Sequence, residues 1–184
     1  MRARHGIVCL LSLIFCVTAC AKDRETQRKS FLGKTPPEIV AEDEHWLGPL
    51  PPVTLAALRG KVVWLQFNFS ESCTSSRHRL VKWEEEFAKQ GLVIVEVSGG
   101  RLATFAESKQ GFDQWDIKYA VVWDQNNRNH KNYRIQSWPS VYVIGADGKV
   151  FWEGNPAFRR EEAKNLRKLL KLKLKHAAEN KLQK

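Results

Sequence analysis

Two apolar runs with no polar face constrain this chain most. "KVVWLQFNF", residues 61–69, and "LVIVEVS", residues 92–98, are β-branched and aromatic almost throughout. A strand with one wet face alternates apolar and polar residues, whereas a near-continuous apolar strand is buried on both faces, as in the centre of a parallel or mixed sheet. Between the runs, Leu80, Trp83 and Phe87 recur at spacings of three and four, and Gly91 follows. That period predicts a helix from about Ser75 to Gln90. A strand, a helix and a second strand in this order require a right-handed crossover, so the chain is α/β.

The remaining segments extend the pattern. "GPLPPVTLAALRG", residues 48–60, reads as turns with a short edge-like strand, and Leu102, Phe105 and Ala106 mark a second helix. "YAVVW", residues 119–123, is a strand, and "DQNNRNHKNYRI" is a loop with one helical turn. "SVYVI" and "KVFWEG" flank Asp147-Gly148, a hairpin signal. The last helix places Leu166, Leu170 and Leu174 in line. The expected order is β-β-α-β-α-β-β-β-α, a mixed central sheet with helices on both faces. The 184 residues leave room for one such domain, over 46–175, with appendages.

The N-terminus is one appendage. "MRARHG" is basic, and "IVCLLSLIFCV" is an apolar run of eleven residues, too short to span a bilayer and suited to a signal peptide. It ends in "VTAC", which resembles the bacterial lipobox; residues 1–19 are then a removed signal, and Cys20 is the lipidated first residue. Ala21 after it implies outer-membrane sorting in a Gram-negative cell, with the outer face of the cell membrane as the other location. Residues 20–45, charged and without period, read as a flexible tether. The net charge of +10 falls to +8 without Arg2 and Arg4. The basic stretch 159–184 is a solvated helix face or a contact for anionic lipid; export argues against nucleic acid.

Of four cysteines, Cys9 and Cys16 leave with the signal and Cys20 carries lipid, so Cys73 is the lone free thiol. It sits at the start of a helix, among Ser72, Thr74 and Ser75, and ahead of Arg77, His78 and Arg79. A helix N-terminus and nearby cations lower a thiol's pKa. At about 8.5 a thiol is about 3% ionised at pH 7, and a drop of about two units takes it above half. The competing reading is a small core residue, inert under a loop.

From about Trp46 to Leu174 the chain resembles the thioredoxin-like superfamily, most closely its exported TlpA-type branch. "LRGKVVWLQF" is similar to the strand leading to that family's active site, "CTSSR" sits where the family has Cys-x-x-Cys-Arg, and "IQSWPSVYVIGADGKVFWEG" resembles its proline, strand, Asp-Gly turn and final strand. The resemblance implies a nucleophilic Cys73, a cis Trp138–Pro139 bond beside it, and a groove in which the Trp138 backbone holds an extended substrate. It implies no cofactor, and partners that are thiol- or disulfide-containing envelope proteins or a low-molecular-weight thiol; His45, His130 and His176 have no ligand spacing and no second Cys beside them, so no metal site is expected.

Two departures qualify it. Ser76 occupies the resolving cysteine's place, which removes the dithiol cycle. The segment before Cys73 is also one residue longer than in the family. A bulge near Ser70 keeps Cys73 and Arg77 in register, whereas an ungapped register puts Ser72 and Ser75 at the cysteine positions. Three functions remain open: a monothiol exchanger, a one-Cys thiol peroxidase (Ser70 lies three residues before Cys73), and a binding module without thiol chemistry.

Overall fold

The structure, a computed structural model, describes residues 29–47, 49–70, 73–99, 104–155 and 160–182. Its strands are β1 (Val62–Asn68), β2 (Leu92–Gly99), β3 (Ala120–Asp124), β4 (Ser140–Ile144) and β5 (Val150–Gly154). Its helices are α1 (Thr74–Phe87), α2 (Phe105–Asp113), α3 (Arg128–Asn132) and α4 (Arg160–Leu182). The sheet order is β3-β2-β1-β4-β5; β1, β2 and β3 are parallel, β4 runs antiparallel to β1, and β5 antiparallel to β4. This is the thioredoxin-like α/β fold. Both apolar runs are central, and every residue of β1 is buried.

The two crossovers, β1-α1-β2 and β2-α2-β3, step in the same direction across the sheet. Right-handed connections then put both helices on one face. Leu80, Trp83 and Phe87 of α1, Phe112 of α2, and Leu166, Leu170 and Leu174 of α4 share one core with Val62 and Trp64. Each such side chain contributes about 1.5–3 kcal/mol on burial. Helix α1 ends in a 3-10 turn and stops at Gly91, whose φ of 97° suits glycine.

The opposite face corrects the tether expectation. Phe31 and Ile39 are buried with Val63, Leu65, Phe67, Tyr133 and Tyr142. Leu32 bridges Val150 on the free edge of β5, and Trp46 bridges Val122 on the free edge of β3. Residues 31–47 therefore cross this face from one sheet edge to the other. They cover both edges, which would otherwise expose unpaired backbone groups. Among the described residues, α3 is the one α-helix on this face. The expected edge strand within 48–60 is also absent: residues 55–60 form turns, and Glu38 accepts from the N–H groups of Leu55 and Ala56 at 2.7 and 2.8 Å. Proline at 51 and 52 removes donors that a strand would need. The signal segment, Cys20 and Ser72 lie outside the described residues.

Candidate thiol site at the start of helix α1

Cys73 is the N-cap of α1, half-buried, with a free thiol. Its N–H donates to the Ser70 carbonyl at 3.3 Å, and its carbonyl accepts the first helical bond, from Arg77 N–H at 3.1 Å. The Cys73 side chain makes no capping hydrogen bond, and a helix start leaves its first N–H groups without intrahelical partners, so they can face an anion at the sulfur. Thr74 and Ser75 are exposed beside it, while Ser76 is buried.

Beneath the first turn runs a buried polar chain. Alternation along β1 aims Trp64, Gln66 and Asn68 at the α1 face. Ser76 Oγ donates to Asn68 Oδ1 at 2.8 Å and accepts from Gln66 Nε2 at 3.2 Å. Gln66 accepts from Trp64 Nε1, and Asn68 Nδ2 donates to Glu96 Oε1 at 2.7 Å. Glu96 lies beside Gln66 in register and also accepts from Arg77 at 2.8 Å and Tyr119 at 3.0 Å.

Arg77 is thus not a free cation at the thiol, as the sequence suggested. It is fully buried, paired with Glu96, and stacked 4.2 Å from the Phe112 ring centroid. Burial opposes its charge, but the Glu96 carboxylate outweighs that and raises its pKa. Burial and then the same carboxylate push the Tyr119 phenol far above its ordinary range, so it remains a donor. His78 is exposed and packs edge-on to Trp115. Arg79 lines a surface hollow together with Trp83 and Arg167.

The other side of the site is set by β4. Phe67 pairs with Ser140, so Trp138 and Pro139 reach the same sheet end as the loop to Cys73. The Trp138–Pro139 bond is cis, as the resemblance implies. The Trp138 ring packs edge-on against Phe69, with centroids 4.8 Å apart. From the second face, His130 places Nδ1 2.6 Å from Asp124 Oδ2 and Nε2 3.1 Å from the Asn68 carbonyl. Asn68 is held by its side chain from one face and its carbonyl from the other. Gly99 is needed here: a Cβ would stand 2.5 Å from the Phe69 carbonyl oxygen.

Sequence reasoning missed Glu96, Asn68, Asp124 and His130 as parts of the site. One signal was available: a carboxylate in the middle of "LVIVEVS" is buried only if paired. Nothing local named its partner.

Among curated proteins, Protein DipZ of Mycobacterium tuberculosis (strain CDC 1551 / Oshkosh) is 31% identical over 114 residues. The match covers 56% of this chain, which spans only 16% of DipZ. Thiol-disulfide oxidoreductase ResA of Bacillus cereus is 24% identical over 129 residues, covering 69% of this chain and 71% of ResA. The thioredoxin domain of a thiol-disulfide oxidoreductase from Bacteroides vulgatus superposes with a TM-score of 0.59 at 19% identity, covering 77% of this chain and 99% of that one. Reduced 2-Cys peroxiredoxin of Plasmodium vivax gives 0.58 at 20%, covering 78% and 81%. Both structural likenesses concern the fold. The AhpC/TSA family model matches residues 32–153, about two thirds of the chain, and the protein belongs to that family.

Proposed function

We propose that this protein is a membrane-tethered, TlpA-type monothiol protein of the cell envelope that exchanges disulfides through Cys73. The observation that carries this reading is the meeting, at one end of the sheet, of a half-buried cysteine at a helix N-cap and the cis Trp138–Pro139 pair. The Cys73 thiolate attacks one sulfur of a client disulfide. The S–S bond breaks, a mixed disulfide forms, and the other client sulfur leaves as a thiolate. The Trp138 backbone holds the client chain extended along β4. A serine hydroxyl at 76 cannot displace the bound sulfur, so release needs an external thiol. Lipid on Cys20 holds the domain at the membrane, probed by fractionating cells that express wild type and Cys20→Ala. Equal membrane retention would end the anchor.

The decisive experiment is trapping. Wild type should accumulate mixed disulfides that dithiothreitol releases and Cys73→Ser abolishes. A second reading, thiol peroxidase, is favoured by the family and by Ser70 three residues before Cys73. It requires peroxide to convert Cys73 to a sulfenic acid that dimedone captures. Cys73 that resists alkylation in the folded protein would leave only a binding module.

A further inference from the structure

A cleft of about 330 Å³ lies next to Trp138, bounded by Phe69, His130, Lys131, Arg134 and Ile135. It opens at the carboxyl ends of the parallel strands, between the loop after β1 and the one after β3, where ligands of open α/β sheets bind. Its chemistry is one-sided. Lys131 and Arg134 are exposed at its rim, and neither pairs with a carboxylate among the described residues. Among the described residues that line it none is acidic, and the nearby Asp124 is buried and engaged by His130 and Asn129. The Trp138 indole N–H is shielded from solvent and has no acceptor among the described residues. Arg134 takes a φ of 51°, a conformation that non-glycine residues seldom adopt. Apolar walls and two unpaired cations suit a flat or apolar group that ends in a carboxylate.

We infer that this cleft binds a carboxylate carried by the disulfide partner of Cys73, so that the preferred partner is an anionic disulfide. The inference rests on the exchange reading. Phe69 joins the two places, since it lies four residues before Cys73 and its ring forms a cleft wall against Trp138. In the step itself, the Cys73 thiolate bonds one sulfur of the disulfide and the other departs with the electron pair. The carboxylate stays on Lys131 and Arg134 and aims the scissile bond.

The test uses the full chain in a neutral detergent, on a C9S/C16S/C20S background that leaves Cys73 as the sole thiol. Stopped-flow rates are measured with 5,5′-dithiobis(2-nitrobenzoate), which is anionic, and with neutral 4,4′-dithiodipyridine. The ratio of anionic to neutral rates, each divided by the rate with a free thiol in solution, should be about tenfold, within the range of electrostatic steering. K131Q/R134N should bring it down about tenfold and leave the neutral rate unchanged, which also reports that the variant is folded. Asparagine at 134 tolerates the positive φ. K164Q/K168Q, which removes the same charge from α4, should leave the ratio within about twofold. If both reagents react but K131Q/R134N does not move the ratio, exchange stands and the anion site is refuted. A ratio that K164Q/K168Q lowers equally would assign it to overall charge and refute the cleft. If neither reagent reacts, the exchange reading itself is refuted.

Discussion

Replacing Glu96 by Gln tests the buried chain under α1 most directly. Glu96 Oε1 accepts from Asn68 and Arg77 at 2.7 and 2.8 Å, and Oε2 accepts from Tyr119 at 3.0 Å. Glutamine keeps one acceptor and can accommodate Tyr119 by rotating its hydroxyl proton, so shape and most hydrogen bonds survive. The charge does not. Arg77 keeps a fully buried guanidinium but loses the Glu96 carboxylate, and removing one partner of such a pair costs about 3–5 kcal/mol. The retained bonds favour the lower end, about 3 kcal/mol. With a urea m-value of about 2 kcal/mol per M, the unfolding midpoint should fall by about 1.5 M, followed by tryptophan fluorescence. R77M alone should cost a similar amount. The double variant should cost less than the two summed by at least about 1 kcal/mol, because the second change removes the charge that Glu96 compensated. A midpoint shift below about 0.5 M for E96Q, or strict additivity of the pair, would refute a buried ion pair beneath the thiol.

Ser76→Cys should lose the hydroxyl's bonds to Asn68 and Gln66, costing about 1 kcal/mol when reduced. On oxidation it should form a disulfide with Cys73 and gain reductase turnover; a bridge formed by Ser75→Cys instead would mean that the register is shifted. Gly99→Ala should push the Phe69 carbonyl away, destabilise by about 1–3 kcal/mol and alter the Cys73 alkylation rate; unchanged stability and rate would refute the close approach. Burial first, then neighbouring Glu96 for Tyr119 and Tyr142 and Glu38 for Tyr133, raise both phenol pKa values in the folded state. The folded protein therefore binds more protons than the unfolded chain at high pH. This stability is complete below about pH 10 and declines above it by up to about 1.4 kcal/mol per pH unit for each group. Urea midpoints across that range should fall, and less steeply in Tyr119→Phe.

The sequence by itself determined the elements whose residues are neighbours along the chain. The apolar runs of β1 and β2, the spacing of Leu80, Trp83 and Phe87, the Asp147-Gly148 turn and the leucine line of α4 each show their pattern within one short stretch of chain. Local steric and hydrophobic preferences are enough to write such elements, and they carried the fold class. The cis bond at Trp138–Pro139 came from the motif around it, not from local physics. Tertiary structure alone decided what lies across those elements. Residues 31–47 show no period because Leu32, Ile39 and Trp46 are satisfied in turn by β5, the core and β3, three surfaces that share no repeat. Arg77 read as a cation of the thiol because it is four residues from Cys73, yet Glu96, nineteen residues away, stands closer in effect once β2 lies beside β1. His130 reaches the Asn68 carbonyl across sixty-two residues, and Lys131 and Arg134 come to the Phe69 cleft by the same route. Strand order makes these neighbours, and strand order is a property of the whole sheet's burial, which no short stretch of the chain contains.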